Sequence, residues 1–341
     1  MISTDRKIFE KESTVRARQV EYAKDWAEVH IIVFDKDSSP LAPSFSKRDF
    51  RSKEVVVSSN CWAYSTQSRS KFLYPFDAIR LGRFIVQGRR ITNITCQDPF
   101  LTAMAGVSLK NKFDLPLEIQ IHTDIGSPYF TYSFSNKIRK FMATNYIFKA
   151  DRIRVVSQRI KNYLKDVLKI EDSKIEVRPI AVNTDWIKSA PIIDGADLHK
   201  KYPQFSQIVL MASRIEKEKN IALAIQSWKK VVEEIPKTGL IIVGNGSQIS
   251  NLKSLVSRLS LNENVIFEQW ADKNVLVSYY KTADLFLNTS LYEGYGMTLV
   301  EAKAAGCEIV STDVGVAMEV GAKVVGYSPE EVAKKVIEQL L

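Results

Sequence analysis

The 341-residue sequence has only three cysteines, Cys61, Cys96 and Cys307, too scattered for a disulfide framework or for the paired spacing of a metal or redox site. They read as small apolar fillers in a protein of the reducing cytoplasm. No run approaches the roughly 20 apolar residues of a membrane-spanning helix, and the polar start does not read as a secretory signal. Internal repeats and low-complexity tracts are also missing, which removes the solenoid and disordered classes. What remains is the composition of an ordinary soluble protein, long enough for about two domains with a core each.

Charge is unevenly shared. Residues 1–180 carry 31 Lys and Arg against 20 Asp and Glu, whereas residues 181–341 carry 17 against 19, so the net charge of +9 comes from the first half. Such asymmetry points to an anionic partner on that side: a membrane surface, an acidic substrate or nucleic acid. No nucleic-acid motif accompanies it, which leaves that partner the weakest of the three.

Strand-like apolar runs alternate with helical stretches throughout, the pattern of a doubly wound parallel α/β sheet. In the first half they predict strands at Val29–Phe34, Val55–Ser59, Thr92–Cys96, Leu117–His122, Arg152–Ser157 and Lys174–Pro179, with Met1–Thr4 as the tail of another. In the second half the strands are Ile208–Ala212, Leu240–Val243, Val265–Glu268, Leu285–Thr289 and Glu308–Thr312. Val182–Tyr202 is polar and aperiodic. The expected division is a basic domain at 1–181, a linker at 182–204 and a second domain at 205–341. In such sheets ligands sit at the carboxyl ends of the strands.

One of those ends is unusually informative. After the run Asp284-Leu-Phe-Leu-Asn-Thr comes Ser290-Leu-Tyr-Glu293-Gly294-Tyr295-Gly296-Met297-Thr298-Leu-Val-Glu301, and Gly306 follows as a helix stop. A helix that opens from a glycine loop presents unpaired N–H groups and the positive end of its dipole, which suits a phosphate. Glu301, a turn inside, is placed to hold hydroxyls such as those of a ribose, and Glu293, on the loop, lies near whatever the phosphates carry. Arg214 leaves the strand Ile208–Ala212 and Lys219 enters the next helix. Two cations at a helix N-terminus repel its dipole unless an anion lies between them, although Glu216 and Glu218 also allow a solvated charge cluster. Val243-Gly244-Asn-Gly246-Ser is a second strand-to-glycine junction, too short of glycines for a dinucleotide fingerprint. His122 ends a strand beside Thr123-Asp124, where a lone histidine is either structural or catalytic.

Taken together, Glu293-Gly-Tyr-Gly, Glu301, Ala305-Gly306 and Ile309-Val-Ser-Thr-Asp313-Val-Gly315 resemble the retaining glycosyltransferases of family 4, and so do Arg214, Lys219, Gly244, His122 and Val177-Arg-Pro-Ile-Ala-Val-Asn183. The resemblance covers most of the chain. It implies the GT-B fold, two Rossmann-like domains facing an interdomain cleft. It also implies transfer of a hexose-type sugar from a nucleotide-diphosphate sugar to a glycan or lipid-linked acceptor, with retained anomeric configuration and no metal or other cofactor. On this expectation Arg214 and Lys219 neutralise the donor diphosphate, the backbone at Gly296, Met297 and Thr298 binds the same phosphates, and Gly294 and Tyr295 join them in binding the nucleotide sugar. Glu301 takes the ribose, Glu293 the donor sugar, and His122 the sugar or acceptor side. Gly244 and Gln269 complete the nucleotide side. A nucleotide-sugar epimerase of the same fold, or a silent sugar-nucleotide or membrane binder, remains open.

Departures from the pattern are local. The family's glycine pair after its first strand is replaced by Thr4-Asp5-Arg6-Lys7, leaving Thr4, Asp5, Arg16 and Asp124 as acceptor-side candidates, with Arg18 read as an exposed helix residue. Gln269 stands where a glycine is frequent. The chain stops just after the helix at 329–340, where family members commonly add a helix that crosses back, so either a short variant or a truncated chain is expected. Finally, Tyr129–Met142 interleaves aromatics with Lys137, Arg139 and Lys140, and Phe134, Ile138, Phe141 and Met142 recur at helical spacing. Such a stretch either docks on an anionic membrane or packs between domains. Lys47, Arg48, Arg51, Lys53, Arg80, Arg83, Arg89 and Arg90 widen the positive surface, so a peripheral place on the inner face of the membrane is expected.

Overall fold

In the computed structural model, which describes residues 1–36 and 54–341, the chain divides into two compact units. The first comprises Met1–Ile125, Thr131–Val156 and Ile160–Arg178; the second comprises Gly126–Phe130, Ser157–Arg159 and Pro179–Leu341. The cations expected at Lys47, Arg48, Arg51 and Lys53 lie outside the described residues.

The first unit is built on an eight-stranded sheet: β1 (Ile2–Ser3), β2 (Val29–Val33), β3 (Glu54–Ser58), β4 (Cys61–Ser65), β5 (Ile94–Cys96), β6 (Leu117–Ile121), β7 (Arg152–Val155) and β8 (Ile175–Val177). Its order is β3-β4-β2-β1-β5-β6-β7-β8. All neighbours are parallel except the edge pair, in which β3 runs antiparallel to β4 with Val55 opposite Ala63. The parallel sheet is the one expected, with one antiparallel strand added at its edge. The cause is the two-residue turn Ser59-Asn60, which folds β4 straight back on β3, a connection open only to antiparallel strands. The short run Cys61–Ser65 was not predicted as a strand, although the polar residues Ser58-Ser59-Asn60 before it are a readable turn signal.

The second unit holds six parallel strands: β9 (Gln207–Ala212), β10 (Thr238–Val243), β11 (Val265–Glu268), β12 (Leu285–Asn288), β13 (Glu308–Thr312) and β14 (Lys323–Val325), ordered β11-β10-β9-β12-β13-β14. β14 is an edge strand of three residues that was not predicted from the sequence. The central strands are buried on both faces, which is why they read as continuous apolar runs. Val209 and Met211 turn to one face and pack with Trp228 and Val336; Ile208 and Leu210 turn to the other and pack with Tyr280 and Leu299. The helix Ile221–Glu234 buries Ile221, Ala224, Ile225, Trp228 and Val231, a stripe at helical period. Trp228 is fully buried, so its truncation to alanine costs about 3–5 kcal/mol. The helix Pro329–Leu340 starts where sequence rules place it, with the Ser328 hydroxyl accepting from the Glu331 amide and Pro329 in the first turn. The stretch 182–204 carries two short helices, Thr184–Ser189 and Leu198–Lys201.

Candidate functional site

The candidate donor site grows from the carboxyl ends of β9, β10 and β12 in the second unit. Beyond β9 and β10 the backbones stay paired: the Ile215 amide donates to the Asn245 carbonyl at 2.8 Å and the Gln248 amide to the Ile215 carbonyl at 3.0 Å. This approach needs glycine. A Cβ on Gly244 would lie 1.9 Å from the Ser213 carbonyl oxygen, and φ there is +148°. Glu216 ties the same two loops by accepting from the Ser247 amide (2.9 Å) and hydroxyl (2.6 Å), and these bonds hold its carboxyl below its usual pKa.

The two expected phosphate cations both have acid partners. Arg214 is largely exposed and donates to Glu218 at 2.9 Å. Lys219 ends a single 3-10 turn, and Asn220, in the left-handed region, swings the chain into the helix Ile221–Glu234. Its ammonium is 2.5 Å from Glu293 Oε1, with both side chains mostly buried. A pair this sheltered contributes little net stability because its desolvation offsets the attraction, yet it fixes two charges in place. The Ser290 hydroxyl lies 2.9 Å from the same Glu293 oxygen.

That acid's loop is held from several sides. Buried Asn288 donates to the Ser311 hydroxyl at 3.0 Å, Thr312 donates to the Ser290 carbonyl at 2.7 Å, and the Leu291 amide donates to the Glu218 carbonyl at 2.8 Å. The Val316 amide reaches the Tyr295 carbonyl at 2.9 Å across Gly315, where a Cβ would meet that oxygen at 2.2 Å. The Ser157 hydroxyl donates to the Gly294 carbonyl at 3.0 Å, and Arg159 pairs with Asp313. Asn288, Ser290, Thr312, Gly315, Ser157 and Arg159 were not singled out from sequence as site residues. The readable signal was polar residues closing otherwise apolar strands: Asn288-Thr289-Ser290 and Ser311-Thr312.

Gly296, at φ +91°, is the N-cap of the helix Met297–Ala304, and no side chain caps it. The amides of Met297 and Thr298 therefore stand at a helix start without intrahelical partners. Glu301 follows in the same helix. It accepts from the buried Tyr280 hydroxyl at 3.2 Å, and burial pushes its pKa up despite that bond and the charge of Lys273. Gln269 is exposed just beyond β11 and is not joined to this group by any of these contacts.

The first-unit candidates are arranged differently. Thr4 is exposed, and Asp5 caps the 3-10 turn Arg6–Phe9 by accepting from the Lys7 amide. Arg6 donates to the Phe34 carbonyl and the Tyr74 hydroxyl and pairs with Asp35 at 3.2 Å. Side chains thus build the turn that glycines were expected to form. The Arg16 guanidinium donates to the carbonyl of Val56 at 2.7 Å and to that of Val57 at 3.4 Å, bonds that brace the edge strand β3. Arg18 is mostly exposed, 3.7 Å from Asp5. Asp124 is buried. His122 follows β6 with Nε2 3.2 Å from the Gln120 side-chain oxygen. Although the residue keeps solvent access, desolvation of the ring and the charges of Arg154 and Arg18 push its pKa down to about 4, so the imidazole is neutral at physiological pH.

An uncapped helix start, two cations on exchangeable acid partners and a half-buried carboxylate form an arrangement able to hold an anion joined to a polyhydroxy group. Comparison with known proteins agrees. Residues 198–340 match the family model for glycosyl transferases group 1, and residues 21–186 match that for glycosyltransferase family 4. The alpha-monoglucosyldiacylglycerol synthase of Streptococcus pneumoniae is 24% identical over 257 residues, covering 70% of this chain and 57% of the synthase. The chain spans less than two thirds of the length of such curated relatives. Sucrose-phosphate synthase from Thermosynechococcus elongatus superposes with a TM-score of 0.74 at 18% identity, covering 99% of this chain and 88% of that one. Anabaena HepE, solved in complex with UDP-glucose, gives 0.67 at 19% identity with coverage of 99% and 88%. These neighbours show the GT-B fold class.

Proposed function

The chain belongs to the GT4-type glycosyltransferases, and on that premise we propose that it moves a hexose-type sugar from a nucleotide-diphosphate sugar to a glycan or lipid-linked acceptor, with retention and without a metal. The observation that carries this reading is the contact of Lys219 with Glu293 beside the uncapped start of the helix Met297–Ala304. Donor phosphates at that start would draw Lys219 and Arg214 away from their acids, supplying positive charge where the leaving nucleotide develops negative charge. Releasing Lys219 frees Glu293 for the hydroxyls of the sugar. Glu301, desolvated and with a single described partner, gains from accepting ribose hydroxyls. Neutral His122 is suited to hydrogen-bond a hydroxyl rather than to hold a phosphate. HepE's complex with UDP-glucose makes a uridine donor the first to try.

The acceptor side is proposed from charge and from kinship. The first half of the chain is basic, and the relative from Streptococcus pneumoniae is named for a lipid product. Both favour an acceptor held at the inner face of a membrane by a peripherally bound protein. No helix among the described residues is long and apolar enough to cross a membrane.

A panel of nucleotide sugars should raise the melting temperature selectively. The best binder should release its nucleotide only when acceptor is present, with product retaining the anomeric configuration. Nucleotide-sugar turnover that continues unchanged in Glu293→Ala would refute this reading.

A further inference from the structure

The first unit displays an apolar surface that its own core does not use. Along the helix Phe134–Ile147 and its C-cap, Phe134, Ile138, Phe141 and Phe148 recur at i, i+4, i+7 and i+14 and are all exposed, while Ala143 and Ile147 turn inward to the body. Phe134 is 78% exposed and Phe141 72%. A second element adds to them: the 3-10 turn Lys71–Leu73 and the helix Tyr74–Gly88 expose Phe72, at 88%, and Phe76. Both helices flank the helix Leu101–Phe113, and a cavity of about 650 Å³ lined by Phe76, Arg83, Val107 and Tyr146 opens between them, so the two elements share one face of the unit.

Rings and aliphatic tips held out in water at five or six neighbouring positions form a patch that a soluble monomer rarely keeps without a partner. The charge around it identifies the partner's chemistry. Residues 125–150 contain Lys137, Arg139, Lys140 and Lys149 and no Asp or Glu, and Lys71 and Arg83 border the second element. A second copy of the same face would bring like charges together, which argues against self-association. A surface that is apolar inside and anionic at its rim matches both properties: the rings enter the acyl boundary and the lysines meet the headgroups.

We propose that this two-helix face docks the protein on an anionic bilayer leaflet, with Phe134, Phe141 and Phe72 as the inserted side chains and Lys137 and Lys149 as the headgroup contacts. The purpose of docking rests on the lipid-linked acceptor proposed above, but docking itself requires no transfer.

The test is co-sedimentation of the full chain with vesicles of phosphatidylcholine alone or with roughly a third phosphatidylglycerol, at low and high salt. The expected result is binding to the anionic vesicles only, weakened by salt. It should fall on the order of tenfold or more in F134S/F141S and also in K137E/K149E, while both variants keep their melting temperature and their thermal shift with UDP-glucose. Wild-type binding that ignores phosphatidylglycerol, or that survives both double substitutions, overturns the proposal. So does a solution dimer that F134S/F141S dissociates, because the face would then be occupied by a second copy. A wild-type protein that binds donor but no anionic vesicles refutes this surface alone. A wild-type protein that docks but binds no donor refutes the donor reading of the second unit alone.

Discussion

The two units share an architecture and spend their side chains in opposite ways. In the second, the central strands are apolar on both faces and the chemistry is confined to loops at their carboxyl ends, packed so closely that Gly244 and Gly315 touch the neighbouring backbone. In the first, β6 and β7 are apolar on one face only. The other carries Glu118, Gln120, Arg152 and Arg154, and the turn after β1 is built by Asp5 and Arg6 rather than by glycine. Close backbone packing fixes positions to fractions of an ångström, as donor chemistry requires. Among the described residues, the turn made of long side chains makes no such backbone contact.

The sharpest way to break that contrast is to remove one charge from each unit. Lys219→Ala should lower kcat/KM for nucleotide release by about 10²–10³-fold, the scale on which a preorganised cation acts on a developing charge. Asp5→Ala, which removes only a turn cap, should cost less than about tenfold. Equal losses in the two variants would mean that the first unit's turn serves the donor as directly as the second unit's cations do.

Glycine substitutions probe the same difference through stability. In Gly244→Ala the new methyl meets the Ser213 carbonyl and the backbone stays at a φ disfavoured for alanine, so a loss of about 2–4 kcal/mol is expected by calorimetry. In the first unit, Gly88 ends the helix Tyr74–Gly88 with nothing within 4 Å of a Cβ, and Gly88→Ala should gain about 0.5–1 kcal/mol. If both substitutions were neutral, close loop packing would not distinguish the units.

His122 gives a pH test confined to the first unit. Its pKa is lowered from 6.5 to about 4 in the folded protein. Between those values the unfolded chain binds more protons, so its contribution disfavours the folded state increasingly as pH falls through that window. His122→Gln should flatten the stability profile there, and a proton resonance of the ring titrating near its ordinary value would contradict the assignment.

How much of this was legible beforehand follows the same division. Continuous runs such as Gln207–Ala212 and Leu285–Asn288 were readable because burial on both faces leaves no polar interruption. Glu293, Gly296 and Glu301 stood out because a glycine loop and a helix start lie together in sequence. By contrast, Lys219 meets Glu293 across 74 residues, a contact that only the topology creates. The contacts of Arg16 were out of sight for a related reason. A basic residue on a helix near a candidate site looks free in sequence, while its partners, the carbonyls of Val56 and Val57, carry no sequence signal at all.

The smallest expected effect concerns Glu301, and it probes the second unit where that unit is least settled. Desolvation outweighs the hydrogen bond from Tyr280, so the free protein holds this carboxyl's pKa above its ordinary value. Ribose hydroxyls donating to the carboxylate would favour the charged form instead and lower its pKa in the complex. The complex would then bind fewer protons than the free protein. Donor affinity should therefore rise with pH just above the ordinary carboxylate range and level off once Glu301 is ionised without ligand, a change of roughly two- to fivefold. Titration calorimetry in buffers of different ionisation enthalpy should detect fractional proton release on binding within that window, and Glu301→Gln should abolish it. Release that persists in Glu301→Gln would assign the proton to another group and detach the ribose from this helix.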